Sequence, residues 1–331
     1  SIRFIRMYMT GFEKEEHLRF GELQFVRTDW RVYEKNDKLI DYSIANKLKH
    51  TGRIDISSVC IENDSRKKPV GYQLPPGIDR TIDPSQMQLT EENEQAMVLK
   101  IDSLEPNDAR AVYKTITLDT RQYKRFKMFV HAEELIDGEN IPDNRLYAFV
   151  RFGSDFTENY YEYRIPLKIT PAGAIDQYSV WPQENNFDFE FEMLTNLKLE
   201  RDKKKNAGQV KYNERYTKMH GNNTMAVIGS PSFGDISSMM IGIVNEDDVT
   251  HNAEIWVNEM RMSGYDEEGG WAAIANLGIV FSDLGSLTVG GQIETVGFGN
   301  IEDNITDRNQ EDFYEYNITA AVQLGKLFPE K

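Results

Sequence analysis

The chain has 331 residues, 40% of them hydrophobic and 11% aromatic, enough apolar mass for one large or two ordinary packed domains, which excludes disorder along its whole length. Its 38 Lys and Arg stand against 54 Asp and Glu, a formal charge of -16 that repels phosphate backbones and argues against nucleic acid as a partner. The single cysteine, Cys60, excludes an internal disulfide and has no companion at a metal-ligand spacing.

From the N-terminus, Ser1 to Arg6 show no initiator Met and no basic segment followed by a long apolar run, so the expectation is the middle of a longer chain. No stretch approaches about 18 uninterrupted apolar residues, which excludes a spanning helix but leaves spanning strands open. Met7 and Met9, an acidic turn at Glu13 to Glu16, and Phe20 to Val26 form a strand-turn-strand pattern. It recurs as Ile241 and Ile243, Asn245 to Asp248, and Val257 to Ser263. This similarity predicts that residues 1–60 are the closing strands of a preceding β-sandwich. Residues 61–94 are rich in Pro, Asp, Ser, Arg and Lys, and Pro75-Pro76-Gly77 cannot lie inside a central strand, so they read as an extended linker.

Strand-like alternation dominates residues 95–265. Met97, Leu99 and Ile101 form one face, then Phe126, Met128 and Val130, then Leu146, Ala148, Val150 and Phe152, then Tyr161, Tyr163, Ile165 and Leu167. Arg151, Glu162 and Arg164 fall on the opposite faces. Short strands punctuated by Gly, Pro, Asn and Asp predict an all-β fold, a jelly-roll or galactose-binding-like β-sandwich. One short helix is expected where the alternation of Phe187, Phe189 and Phe191 gives way to Leu194, Leu197 and the basic run Arg201 to Lys205, itself read as a solvated helix end. Residues 206–223 read as a loop.

In residues 266–331 the character changes. Leu287, Val289, Gly291, Ile293 and Thr295 alternate with Ser286, Thr288, Gly290, Gln292 and Glu294. Tyr314, Tyr316, Ile318, Ala320, Val322 and Leu324 then alternate with Phe313, Glu315, Asn317, Thr319, Ala321 and Gln323. A soluble meander resting its apolar face on a core and strands of a transmembrane barrel both satisfy this pattern. The pattern alone favours the soluble meander, and the small residues on the second face tilt the balance back towards the barrel without deciding it.

Catalytic and cofactor chemistry finds no constellation. His17, His50, His131, His220 and His251 each lack a second ligand at a useful spacing, the glycine pairs lack the Lys of a phosphate loop, and Ser230 and Ser232 merely flank Pro231. The acidic clusters Glu13 to Glu16, Glu91 to Glu94 and Asp266 to Glu268 miss the spaced-oxygen pattern of a calcium loop. The expectation is a non-enzyme with no cofactor and no metal. An alternative function is a carbohydrate-binding sandwich on a cell-surface protein, with Tyr160, Tyr161 and Trp181 as an exposed stacking platform.

Three stretches carry a resemblance: Met9 to Phe12 with Leu18 to Phe20 and Trp30-Arg31; Trp256 to Arg261 with Gly269-Gly270-Trp271; and Asp283 to Gly285 with Gly297 to Gly299, Arg308, Glu311 to Phe313 and Leu324 to Leu327. Together they resemble the SprA/Sov family of Bacteroidetes outer-membrane proteins. The resemblance implies a segment of a very large barrel that carries cargo in type IX secretion and gliding motility, interrupted by soluble sandwiches. It further implies an outer-membrane or cell-surface location, outer-membrane lipid around the C-terminal strands, secreted cargo proteins, a PorV-like barrel and a plug protein as partners, and no catalytic role. Within the second stretch, Trp256 with Asn258 is expected to build the fold. Glu259 and Arg261 are expected to share a face and pair with a neighbouring strand, and Gly269 and Gly270 to supply free backbone angles before Trp271.

Overall fold

A computed structural model describes residues 29–34, 39, 52–80, 82–83, 90–136, 138–265, 269–300, 308–309 and 311–327. Of the two hairpin copies compared above, the one at residues 7–26 lies outside the described residues. In chain order the strands are β1 (Arg31–Val32), β2 (Arg53–Cys60), β3 (Ile82–Asp83), β4 (Thr90–Glu91), β5 (Gln95–Leu104), β6 (Ala109–Leu118), β7 (Tyr123–Glu134), β8 (Leu146–Gly153) and β9 (Tyr160–Pro166). They continue as β10 (Phe187–Glu190), β11 (Tyr216–His220), β12 (Asn223–Ile228), β13 (Ile236–Asn245), β14 (His251–Tyr265), β15 (Ala272–Val280), β16 (Gly285–Glu294) and β17 (Phe313–Val322). The α-helices among the described residues are α1 (Ile61–Asp64), α2 (Gln177–Val180) and α3 (Phe191–Asn206).

Period-two alternation puts every second side chain of β5, β7, β8 and β9 between two antiparallel sheets. One sheet runs β10-β7-β14-β5-β2 and the other β1-β6-β13-β8-β9-β12-β11. Phe126 and Phe152 meet edge to face across the gap at 5.2 Å, and Tyr163 stacks on Phe189 at 4.2 Å. Each ring so buried contributes about 1.5–3 kcal/mol. The chain passes between the sheets in the order of a jelly roll. Strands β5, β7, β10 and β14 lie in one sheet, β6, β8, β9 and β13 in the other, and the last strand, β14, sits between β5 and β7. The predicted all-β sandwich is the observed one.

The expected helix begins where β10 ends. Phe191, Leu194, Leu197 and Arg201 fall on one helical face and are buried, while Lys203, Lys204 and Lys205 crowd the last turn, where cations suit the helix dipole. Gly208, at φ 71°, leaves the helix in the left-handed region. Residues 206–223, read as a loop, contain the edge strand β11, which pairs with β12.

Residues near the N-terminal boundary differ from expectation. Strand β2, assigned by its sequence to a preceding sandwich, pairs with β5 from Arg53↔Asp102 to Cys60↔Gln95 and so belongs to this one. The segment after it is not a solvated linker: α1 leads into a strap in which Val70 and Tyr72 are buried against the outer face of the five-stranded sheet. The reason lies in β5 and β14, whose second faces carry Val98 and Trp256 and need a cover.

Candidate functional site

The Trp256 block lies under that strap. Alternation along β14 sends Ile255 and Val257 into the main core and Trp256 to the opposite face, where it is buried with Trp181 and Tyr72. Its indole donates to Glu254 Oε1 at 2.8 Å and stacks on the His131 ring at 3.9 Å. The Trp181 indole donates to the Gln73 carbonyl at 2.8 Å, and His131 Nδ1 meets the Val180 carbonyl at 2.7 Å. Asn258 donates to the Tyr72 hydroxyl at 2.9 Å and also to Glu94. Burial first and the Glu94 carboxylate second raise the Tyr72 phenol far above its ordinary value.

Lys67 latches the strap down. Its ammonium binds Glu133 Oε1 at 2.9 Å and also Glu254, and lies 4.8 Å from the centre of the Trp256 ring. Burial alone would lower the Lys67 ammonium, but hydrogen bonds to the two carboxylates outweigh it and raise it. Burial would likewise raise Glu254, yet Lys67 and the Trp256 indole hold it below its ordinary value. A depressed carboxyl stabilises the fold above its unfolded value and loses that contribution as pH falls through the folded one; the raised lysine loses its share only above about pH 10. Without Lys67, Glu254 keeps the more distant Lys100, 3.7 Å away, and the burial that opposes its ionisation is offset less. Lys67→Gln should therefore cost about 1–3 kcal/mol at neutral pH and flatten the acid side of the stability profile. Urea midpoints followed by Trp fluorescence should fall from pH 7 to pH 4 in the parent and fall less steeply in the variant. A parallel fall in both would sink the latch.

On the outer face of the other sheet, Arg151 and Glu162 stand directly opposite in the β8–β9 register and are both fully buried. Arg151 Nε donates to Glu162 at 2.6 Å, Arg164 and Arg215 reach the other carboxylate oxygen at 3.2 and 2.5 Å, and Arg151 also donates to the Phe156 and Leu39 carbonyls. Burial alone would raise Glu162, but the charges of Arg215, Arg151 and Arg164 hold it well below the carboxylate range. The sequence reading placed these side chains on the faces opposite the core but did not pair them. The signal that could have found the pair is two opposite charges at facing positions of one hairpin.

This arrangement also removes the proposed sugar platform. Tyr160 and Tyr161 are consecutive strand residues and point to opposite faces: Tyr160 lies under the Arg151 guanidinium at 4.3 Å, and Tyr161 stacks on Phe233 inside the core at 4.5 Å. Trp181 sits on the other sheet beneath the strap. All three are buried.

At the end of β14 the ladder changes. A bulge falls between Asn258 and Arg261 with Glu259 at φ 49°, and Arg261 meets Glu259 at 3.7 Å across it. The expected cross-strand pairing is corrected: the ion pair is within one strand, and Arg261 faces Lys127 on β7. Gly264, near the end of β14, takes a left-handed angle (φ 68°). Gly269 has open space around it, whereas a Cβ at Gly270 would come within 2.1 Å of the Phe298 nitrogen, so this glycine is needed for close backbone approach rather than for unusual angles. Trp271, 57% exposed, donates its backbone N–H to Thr295 Oγ1 at 2.8 Å.

Beyond it β15, β16 and β17 form an antiparallel meander, and β15 is a strand that the sequence reading did not identify. The register sets Leu277 beside Val289 and Ile318, Ile279 beside Leu287 and Ala320, and Ala273 beside Ile293 and Tyr314, all on one face. The other face carries Asn276, Thr288, Gln292, Glu294, Glu315, Asn317 and Thr319, with Ile274, Val280 and Phe313 as its large apolar exceptions. Nothing among the described residues covers the apolar face: Tyr316 is 83% and Ile318 66% exposed. Strands of this length reach about 30 Å, and Trp271, Tyr314 and Phe281 mark the two ends. The sheet touches the sandwich where Arg121, on the β6–β7 turn, binds Glu311 at 2.5 Å.

The family model SprA_N, described as motility related/secretion protein, matches residues 1–331. The chain belongs to that family. A search of curated proteins finds no match.

In this SprA_N chain the sequence's candidate residues divide. Trp256 and Asn258 join the buried cluster under the strap, Glu259 and Arg261 form the bulge, and Gly270 and Trp271 open the meander. The sequence missed the strap residues Lys67 and Tyr72, because sequence order gives no sign that a Pro-rich segment folds back onto a sheet. Among the described residues no group of three or more His, Cys, Asp or Glu is placed to hold a metal ion, and no helix is long and apolar enough to cross a membrane, which says nothing of strands. The acidic clusters Glu13 to Glu16 and Asp266 to Glu268 lie outside the described residues.

Proposed function

We propose that this chain is a structural, non-enzymatic segment of an outer-membrane protein translocon serving type IX secretion and gliding motility. Its work is shape: the sandwich is a rigid body beside a conduit, and β15 to β17 are part of the conduit wall. The observation that carries this reading is the three-stranded sheet with one continuous apolar face, one face of small and polar residues, and aromatic residues at its ends. A soluble protein rarely exposes so large an apolar face, and a barrel wall requires one. Membership in a motility and secretion family supports the same placement in the envelope. On this reading outer-membrane lipid covers Leu277, Val289 and Ile318, secreted cargo passes the Asn276 and Asn317 face, and a PorV-like barrel and a plug protein are the partners.

Single cysteines read by bimane fluorescence in the full-length protein in membranes test it. Val289→Cys and Ile318→Cys should be quenched by brominated lipid, and Thr288→Cys and Asn317→Cys should be quenched by aqueous iodide instead. If iodide reaches both faces equally, or lipid quenches neither, the sheet is not a membrane wall.

A further inference from the structure

Two strand edges end without neighbours at the corner of the sandwich nearest the meander. Strand β14 pairs with β5 only from His251 to Val257, although it continues along β7 to Tyr265, so Met260 to Ser263 have no strand on their second side among the described residues. Strand β6 pairs with β13 over its length but with β1 only at Val112 and Tyr113. The Ala111 carbonyl accepts from Tyr33 N–H on that outer side, and the alternation of an antiparallel ladder then points Thr115 the same way, with no strand beside it among the described residues. Between the two edges lies a cleft of about 420 Å³ floored by Ile116, Phe126, Met239, Met260 and Met262.

We propose that this corner is a docking site for an extended polypeptide segment that adds as a strand to the open edge and sets alternate apolar side chains into the cleft. Unpaired backbone N–H and C=O groups in a row are satisfied by another backbone, which selects a peptide over a compact small molecule. The methionine floor adapts to side chains of different shape, as a site for varied sequences needs. Each lip carries a cation, Lys114 and Arg261, whose carboxylate partners among the described residues are solvent-accessible ones of its own lip, Asp29 at 3.2 Å and Glu259 at 3.7 Å. Acidic residues flanking the apolar positions complement both. The bulge at Glu259 bends β14 away from the line of β5 and opens the slot. None of this depends on whether the meander lies in a membrane.

The test uses the full-length protein in detergent and a fluorescein-labelled peptide of alternating Val and Glu, read by anisotropy. Saturable binding is expected, together with a loss of about tenfold or more in Met260→Glu and in Met262→Glu, because the new charge enters an apolar floor. Val249→Glu, at the exposed turn between β13 and β14, should bind as the parent does. The same peptide N-methylated at alternate amides should lose binding to the parent protein, a readout that no misfolded variant can mimic. No binding by the parent, or equal binding of the methylated peptide, overturns the proposal. A concentration-dependent dimer that Met260→Glu abolishes, with no peptide bound, would overturn it in favour of a second copy at this edge. A loss of thermal stability in Met260→Glu without peptide binding would overturn it in favour of another part of the chain filling the slot.

Discussion

Replacing Glu162 with Ala should cost about 3–5 kcal/mol, the largest single-residue effect expected in the sandwich, because it leaves the Arg151 guanidinium buried without its carboxylate. Arg164 and Arg215 can turn toward water, but Arg151 is pinned by the Leu39 and Phe156 carbonyls and by the rings of Phe149 and Tyr160. The loss should appear as a lower urea midpoint with an unchanged slope. The double replacement Arg151→Met with Glu162→Leu should recover most of it, since a buried ion pair exchanged for apolar side chains of similar size is often neutral or stabilising. The depressed Glu162 carboxyl sets the pH signature: its contribution is complete above its ordinary value and is lost only in strong acid, as pH falls through the folded value. If the single and double variants were equally unstable, the cost would lie in packing rather than in the stranded charge.

Placing Arg at Val289 should cost about 2–4 kcal/mol of folding in a bilayer, while Lys at Thr288, one residue earlier on the opposite face, should cost less than about 1. Both positions lie on the central strand β16, flanked on both sides, so neither change disturbs an edge. If β16 is part of a membrane wall, only the medium on each face differs. Urea titration of the full-length protein in lipid vesicles, read by heat-modifiable migration, gives the comparison. Equal tolerance at the two positions would mean that water, not lipid, meets the Val289 face.

Much of this was legible in local pattern. Alternation over residues 97–101, 126–130, 146–152 and 161–167 marked the inward faces of four core strands, and those side chains form the main core. The helix after Phe191 was visible because its apolar spacing changes from two to three. The two faces of β16 and β17 were readable for the same reason, and their register then placed like beside like. In the cluster around Trp256, the tryptophan was recognisable as a core residue, but its partners were not: Lys67, Tyr72 and Glu94 lie in a segment whose composition reads as linker.

By itself, the sequence determined the fold class, the inward faces of the strands, the presence of a helix after Phe191 (though it runs longer than the short one expected) and the two faces of β16 and β17, because each follows from side-chain periodicity within a few residues. The tertiary structure alone decided which outer faces are covered. It brought the strap over Trp256 and Trp181, closed Arg151 and Glu162 away from water, buried Tyr160 and Tyr161 on opposite sides of one sheet, and gave β2 to this sandwich. The physical reason is range: a strand's period of two says which side chains share a face, but whether that face meets water, lipid or another segment depends on chain that returns from tens or hundreds of residues away.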